Sequence, residues 1–148
     1  MSFTEVTPEE AFKILAEDPE AVYVDVRSIP EFAQEHPEGA INIPILHQGA
    51  SGNMEPNPDF AEVASAVLPK EKKIVMGCLR GGRGMKACMI LAGEGYDQLY
   101  NVLGGFGGAV DPVTGMVSQK GWKDSELPTS QENGEGVGYE SLKSKAGL

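Results

Sequence analysis

Ile74-Val75-Met76-Gly77-Cys78-Leu79-Arg80-Gly81-Gly82-Arg83-Gly84-Met85-Lys86-Ala87-Cys88-Met89-Ile90-Leu91-Ala92-Gly93 is the stretch on which the fold turns. Its first residues are a β-branched and apolar run too short for a helix and without helical period, which predicts a buried strand. Glycines and an arginine break that run, and from about Gly84 to Gly93 the apolar residues recur at helical spacing. The reading is strand, tight loop, helix. Ala21 to Val26 repeats the pattern of a buried strand, with a short helix predicted at Glu31 to Glu35. Ile41 to Ile43 is a further strand, stopped by Pro44, and Tyr100 to Leu103 another.

Helices are predicted between these strands. Thr7-Pro8-Glu9-Glu10 is a helix start with Thr7 as N-cap, Pro8 at the first position and Glu10 completing a capping box. Ala11, Phe12, Ile14 and Leu15 supply its apolar face. Residues His47 to Pro56 read as a polar connection, after which Asn57-Pro58 opens a helix through Leu68. Strands alternating with helices over short connections indicate an α/β fold, with a parallel central sheet of about five strands and helices on both faces. In that architecture ligands bind at the carboxyl ends of the strands. From Gly104 to Gly121 the chain is Gly-rich, with a turn at Asp111 to Gly115 that suits a small hairpin, and Trp122 is expected to close the core. The 148 residues suit one core, assigned to residues 1–128, followed by a polar, partly flexible tail at 129–148 whose pattern allows a short helix over Tyr139 to Ala146.

A formal charge of −10 argues against nucleic acid and anionic membrane as partners. The distribution is more informative than the total. Residues 1–40 hold ten acids, whereas Gly77 to Gly93 holds none and three bases, Arg80, Arg83 and Lys86. No apolar run reaches membrane length, and Met1 to Glu5 does not read as a secretory leader, so a cytoplasmic protein is expected. Two cysteines are too few for a disulfide framework. His36 and His47 add too few ligands for zinc, so no metal and no cofactor is expected.

Cys78 stands where a strand ends and a helix begins. Amides at a helix N-terminus, the bases Arg80, Arg83 and Lys86, and glycines that let N–H groups turn inward all favour negative charge there. The expectation is a thiolate at neutral pH beside a pocket for a small anion. Cys88 shares its helix with Met85, Met89, Ile90 and Leu91 and reads as core.

These residues resemble the rhodanese domains. Cys78-Leu79-Arg80-Gly81-Gly82-Arg83 is similar to the family's C-x-x-G-x-R loop, and Asp25-Val26-Arg27 with Glu31-Phe32 to its D-V-R and E-F segment. His36 with Gly39 to Pro44, then Leu103-Gly104-Gly105, and Trp122 with Leu127-Pro128, match further pieces in the family's order. Three departures stand out: Gly84 replaces the usual Ser after the loop, Pro37-Glu38-Gly39 replaces Ile-Pro-Gly, and residues Gly107 to Lys120 are an insertion. The resemblance implies a sulfurtransferase that moves sulfane sulfur from thiosulfate or a related donor to cyanide or a thiol through a Cys78 persulfide. Amides of Leu79, Arg80, Gly81, Gly82 and Arg83 would cradle the anion, with Arg83 supporting the cradle and Arg80 attracting the donor. Asp25 is read as structural, fixing a loop with Arg27 and Glu31, while Arg27 stays a candidate for substrate binding. The partners implied are a small anionic sulfur donor, a nucleophilic acceptor and, in a relay or docking variant, a protein that supplies or takes the sulfur. A phosphatase or arsenate reductase on a related fold is the enzymatic alternative. Four residues separate Cys78 from Arg83, however, where the C-x5-R loop of those enzymes has five.

Overall fold

In a computed structural model, which describes residues 3–80 and 82–148, the chain runs β1 (Phe3–Val6), α1 (Pro8–Glu17), β2 (Val22–Asp25), α2 (Ile29–Gln34), β3 (His36–Pro37) and β4 (Ile41–Asn42). It continues through β5 (Leu46–Gln48), β6 (Met54–Pro56), α3 (Phe60–Val67), β7 (Ile74–Gly77), α4 (Gly82–Gly93) and β8 (Leu99–Val102). It ends with β9 (Ala109–Val110), β10 (Val117–Gln119), β11 (Thr129–Ser130) and α5 (Tyr139–Lys145). The central sheet has five strands in the order β1-β8-β7-β2-β4, and every pairing in it is parallel.

Side chains alternate across the sheet, so each strand serves two cores. Val24, Ile74, Met76 and Leu99 face a cluster closed by α3, α4 and α5 through Phe60, Val63, Ala87, Leu91 and Leu142. Tyr23, Val75 and Val102 face the opposite cluster, with Ala11 of α1, Phe32 of α2 and Trp122. Trp122 is 1% exposed, lies edge-on to Tyr23 and Phe12, and donates its indole N–H to Pro128 O at 2.8 Å. It closes that layer as its position in the sequence implies.

The capping box at Thr7 is present: Thr7 Oγ1 accepts from Glu10 N at 3.1 Å and Thr7 N donates to Glu10 Oε1 at 2.8 Å. A second box, not anticipated, starts α2 two residues early, with Ser28 as N-cap, Pro30 in the first turn and Glu31 as the reciprocal acceptor. Strand β1 was also not anticipated. Phe-Thr-Glu-Val is a short edge strand with polar residues between apolar ones, a weak signal until Leu99–Val102 is beside it. The connection expected at His47 to Pro56 instead carries the antiparallel pair β5–β6. Helix α3 begins at Phe60 and not at Asn57-Pro58, because the Asn57 backbone N–H still pairs with Ile45 O and its side-chain oxygen accepts from Asp59 N. Helix α4 starts at Gly82, two residues before the expected point. Phe12 is 39% exposed, so only part of the expected face of α1 is buried. The inserted segment forms the hairpin β9–β10 around a turn in which Asp111 Oδ1 accepts from Val113 N and Thr114 N. Residues beyond 128 join the domain: β11 pairs with β3, and α5 contributes Tyr139 and Leu142 to the core.

One buried group stands out. The Tyr23 hydroxyl is inaccessible, has no hydrogen-bond partner among the described residues and lies against Gly77, where a Cβ would come within 1.7 Å of it. Gly77 is therefore the only residue type that fits beside Tyr23. An unpaired buried hydroxyl costs stability, so Tyr23→Phe is expected to be neutral or to stabilise the fold by about 1 kcal/mol in urea unfolding. A loss of more than about 1 kcal/mol would show that the hydroxyl is bonded.

Candidate active site

Cys78 lies directly past the carboxyl end of β7. The β2–β7 register sets Asp25 beside Gly77, and Val26 N donates to Gly77 O at 2.8 Å. Two segments fifty residues apart, Asp25-Val26-Arg27 and Gly77-Cys78-Leu79, thus meet at one end of the sheet. The third arrives from β8. Phe106 N donates to Cys78 O at 2.6 Å and Gly107 N to Leu79 O at 2.8 Å, so two carbonyls of the cysteine loop are drawn to the glycine-rich segment. Gly105, at φ 54°, allows this approach, because a Cβ there would sit 2.3 Å from Cys78 O.

The charged residues form two carboxylate-guanidinium pairs. Arg27 is 4% exposed and Asp25 1%. Arg27 donates to Asp25 from Nε at 3.0 and 3.1 Å and from NH2 at 2.7 Å, and NH2 also donates to Glu35 O at 2.6 Å. Its guanidinium carbon lies 4.5 Å from the centroid of Phe106. Asn42 Nδ2 donates to the carbonyls of Asp25 and Arg27, both at 3.0 Å. Burial disfavours the Arg27 cation, but the hydrogen bonds and charge of Asp25 outweigh that cost and raise its pKa. The second pair joins Arg83 to Glu31, at 2.8 Å from NH1 and 3.1 Å from NH2. Glu31 was expected to help fix the Asp25–Arg27 loop. It instead reaches across to α4 while its Oε1 also caps α2 through Ser28, tying the start of one helix to the start of the other.

Of the other loop positions, Leu79 is half-buried and Arg80 exposed, with Arg80 NH1 donating to Gly108 O at 3.3 Å. Gly82 opens α4 and is exposed, and Gly81 lies outside the described residues. Lys86 is exposed on α4. Cys78 itself is 1% exposed and belongs to the core cluster that holds Val26, Met76 and Ala87. Cys88 is fully buried, and burial, with the nearby charges of Glu5 and Cys78, pushes its thiol up to about 12, in keeping with a core residue.

Beside the loop opens a cleft of about 300 Å³. Arg27, Glu31, Leu79 and Phe106 line it, as do Glu35, Lys123 and Asp124, and Cys78 is not among its lining residues. The sequence reading did not single out Phe106, Glu35, Lys123 or Asp124. Their only local signal is position, directly after the Gly104-Gly105 pair, at the end of α2 and directly after Trp122. Lys123 Nζ donates to Glu35 Oε1 at 2.6 Å, and Thr129 Oγ1 donates to Glu35 Oε2 at 2.7 Å.

Burial alone would raise the Glu31 carboxyl, but hydrogen bonds from Arg83 and Ser28 and the charge of Arg83 hold it down at about 2, against an ordinary 4.5. A depressed carboxyl stabilises the fold fully above its unfolded pKa and loses that contribution as pH falls through its folded one. Glu31→Gln should therefore cost about 2 kcal/mol at pH 7, with the gap to the wild type narrowing from about pH 4.5 to about pH 2. Denaturant melts across that range measure it, and a gap independent of pH would mean that the ion pair is not its source.

The model of the Rhodanese-like domain matches residues 7–110. The chain is 42% identical over 89 residues to Protein HIGH ARSENIC CONTENT 1, mitochondrial, of Arabidopsis thaliana, covering 60% of this chain and 52% of that protein. It thus spans about half the length of that relative. It is 31% identical over 128 residues to Thiosulfate sulfurtransferase GlpE of Actinobacillus succinogenes, covering 86% of this chain and 91% of the relative. Among solved structures it resembles Rv0390 from M. tuberculosis, with a TM-score of 0.74 and 26% identity over 89% of this chain and 100% of the other. The family match spans the three segments that converge on Cys78, and on that ground the chain belongs to the rhodanese-like domain family.

Proposed function

We propose that the protein is a sulfurtransferase that carries sulfane sulfur as a persulfide on Cys78. The observation that carries this reading is the position of Cys78: it follows the central strand β7, begins a loop that leads into α4, and is flanked by Arg83 and by the buried Asp25–Arg27 pair. Relatives named thiosulfate sulfurtransferase support it. In the first half-reaction the Cys78 thiolate attacks the outer sulfur of thiosulfate, the S–S bond of the donor breaks, and sulfite leaves with the bonding pair. In the second, cyanide or a thiolate attacks the outer sulfur of the persulfide and Cys78 is released as thiolate.

Each side chain then has a task. The amides of Leu79 to Arg83 would receive the anionic donor and the persulfide, as an oxyanion hole receives developing charge. With both guanidinium ends on Glu31, Arg83 acts by holding the loop and by its field on Cys78, more than as an open anion site. Arg27 reaches the cleft while locked to Asp25, so it offers a fixed positive edge that costs no reordering when substrate arrives. Arg80, exposed at the rim, would attract the donor.

A relative whose name refers to arsenic content keeps the oxyanion alternative in the test. Mass spectrometry after incubation with thiosulfate should find one added sulfur on the wild type and none on Cys78→Ser, because the remaining thiol, on Cys88, sits within α4 in the core and is pushed up to about 12. Turnover of arsenate or a phosphate ester without that added mass would overturn the proposal in favour of the oxyanion reading.

A further inference from the structure

We propose that the hairpin β9–β10 is a self-association surface, through which two copies of this chain pair β10 against β10, antiparallel, about a two-fold axis. Such pairing stands whether or not Cys78 carries sulfur.

The hairpin is built as if to be covered. Every residue from Val110 to Ser118 is exposed, and Val110, Val113, Met116 and Val117 among them are between 45% and 91% exposed. Elsewhere among the described residues, exposed large apolar side chains occur singly or as the pair Met85 and Met89 on α4. Single ones are ordinary, whereas four within eight residues mark an interaction surface. Neither strand joins the central sheet or either core cluster: β9 and β10 form a sheet of two, so both are edge strands. A hairpin of two such short strands is marginal in water by itself. The turn is fastened by Asp111, and at the foot Arg80 NH1 donates to Gly108 O at 3.3 Å. Beside β10 runs a crevice of about 340 Å³, lined by Val117, Ser118, Gln119 and Lys120 with Glu9 opposite, which leaves room for a further strand.

Charge selects a second copy as the occupant. The chain carries −10, which keeps copies apart over most of the surface. Gly107 to Gly121 has none of that excess, holding one acid, Asp111, and one base, Lys120. Asp111 stands at the tip and Lys120 at the foot, both exposed, and neither has an ion-pair partner among the described residues. Glu9 and Asp124 also border the foot, beside the cations Lys120 and Arg80. A parallel pairing would set like charges together. The antiparallel two-fold sets tip beside foot, and an isologous contact makes each meeting twice. Centred on Ser118, it puts Lys120 across from the partner's Met116. Within one chain Asp111 N donates to Met116 O at 2.8 Å, so the partner's Asp111 is one strand further on, within reach of a lysine side chain. The apolar side chains meet their own copies, and four strands replace two.

Sedimentation velocity of the full chain, from about 1 to about 300 µM, tests this. So small an interface should give a monomer–dimer equilibrium with a Kd of about 10 to 100 µM. Val117→Asp and Lys120→Glu, each of which sets like charges across the axis or charge into its apolar part, should weaken it at least about tenfold. Met89→Asp, on the exposed face of α4, should leave it unchanged. These side chains lie outside both core clusters, so the urea midpoint of the dilute monomer should not move. A second measurement needs no variant: amide exchange at Val117 to Gln119 in the wild type should slow at least about fivefold as the dimer fills. A monomer at every concentration would overturn the proposal and leave the hairpin to an unlike partner. So would a dimer that Val117→Asp and Lys120→Glu do not weaken, or exchange at β10 that ignores concentration.

Discussion

Two main-chain hydrogen bonds, from Phe106 N to Cys78 O and from Gly107 N to Leu79 O, are the constraint on which the site depends. A loop between a strand and a helix can direct its peptides many ways. By drawing these two carbonyls toward the segment after β8, the structure sets the course of the backbone past the cysteine. The approach is so close that Gly105 has no room for a side chain, which gives the Gly104-Gly105 pair a physical reason. The same segment carries Phe106, on which Arg27 rests, and through Phe106 O it positions Lys123. One short stretch thereby places the loop, the buried arginine and the cleft rim relative to one another.

Around that frame the charges are mostly spent on each other. The Asp25–Arg27 pair is buried and further satisfied by main-chain groups, with Arg27 NH2 donating to Glu35 O and Arg27 N donating to Asp25 Oδ1, the condition under which a buried ion pair is tolerated. Arg83 is equally committed to Glu31. The cationic character that the loop shows in sequence is consequently muted in three dimensions. What the cleft wall carries is a buried cation locked to its carboxylate, apolar surface and exposed charges of mixed sign.

The strand-loop-helix unit around Cys78, the capping box of α1 and the buried strand before Arg27 were legible because each is a local pattern whose signal lies within a few residues. The assignment of Cys88 to the core was legible for the same reason, from its apolar neighbours on one helix. Strand β1 was not, since Phe3 to Val6 is two apolar residues with polar ones between them until β8 supplies its hydrogen-bond partners. Nor was the β5–β6 pair, which occupies a polar stretch containing Gly49 and Gly52. Glu31 shows the limit most plainly. Its place four residues after Arg27 suggested a local ion pair, yet its partner lies fifty-two residues away.

The sequence by itself determined the α/β alternation, the cysteine at the end of a strand and the glycines that let the chain close around it, because backbone propensity and side-chain period act over a few residues. Only the tertiary structure decided which carboxylate meets which guanidinium, that Cys78 is buried, and that Glu35, Lys123 and Asp124 share a cleft with Leu79. Ion pairs and cleft walls depend on distances between segments far apart in the chain. Those distances are set by sheet register and helix docking, which no local pattern contains.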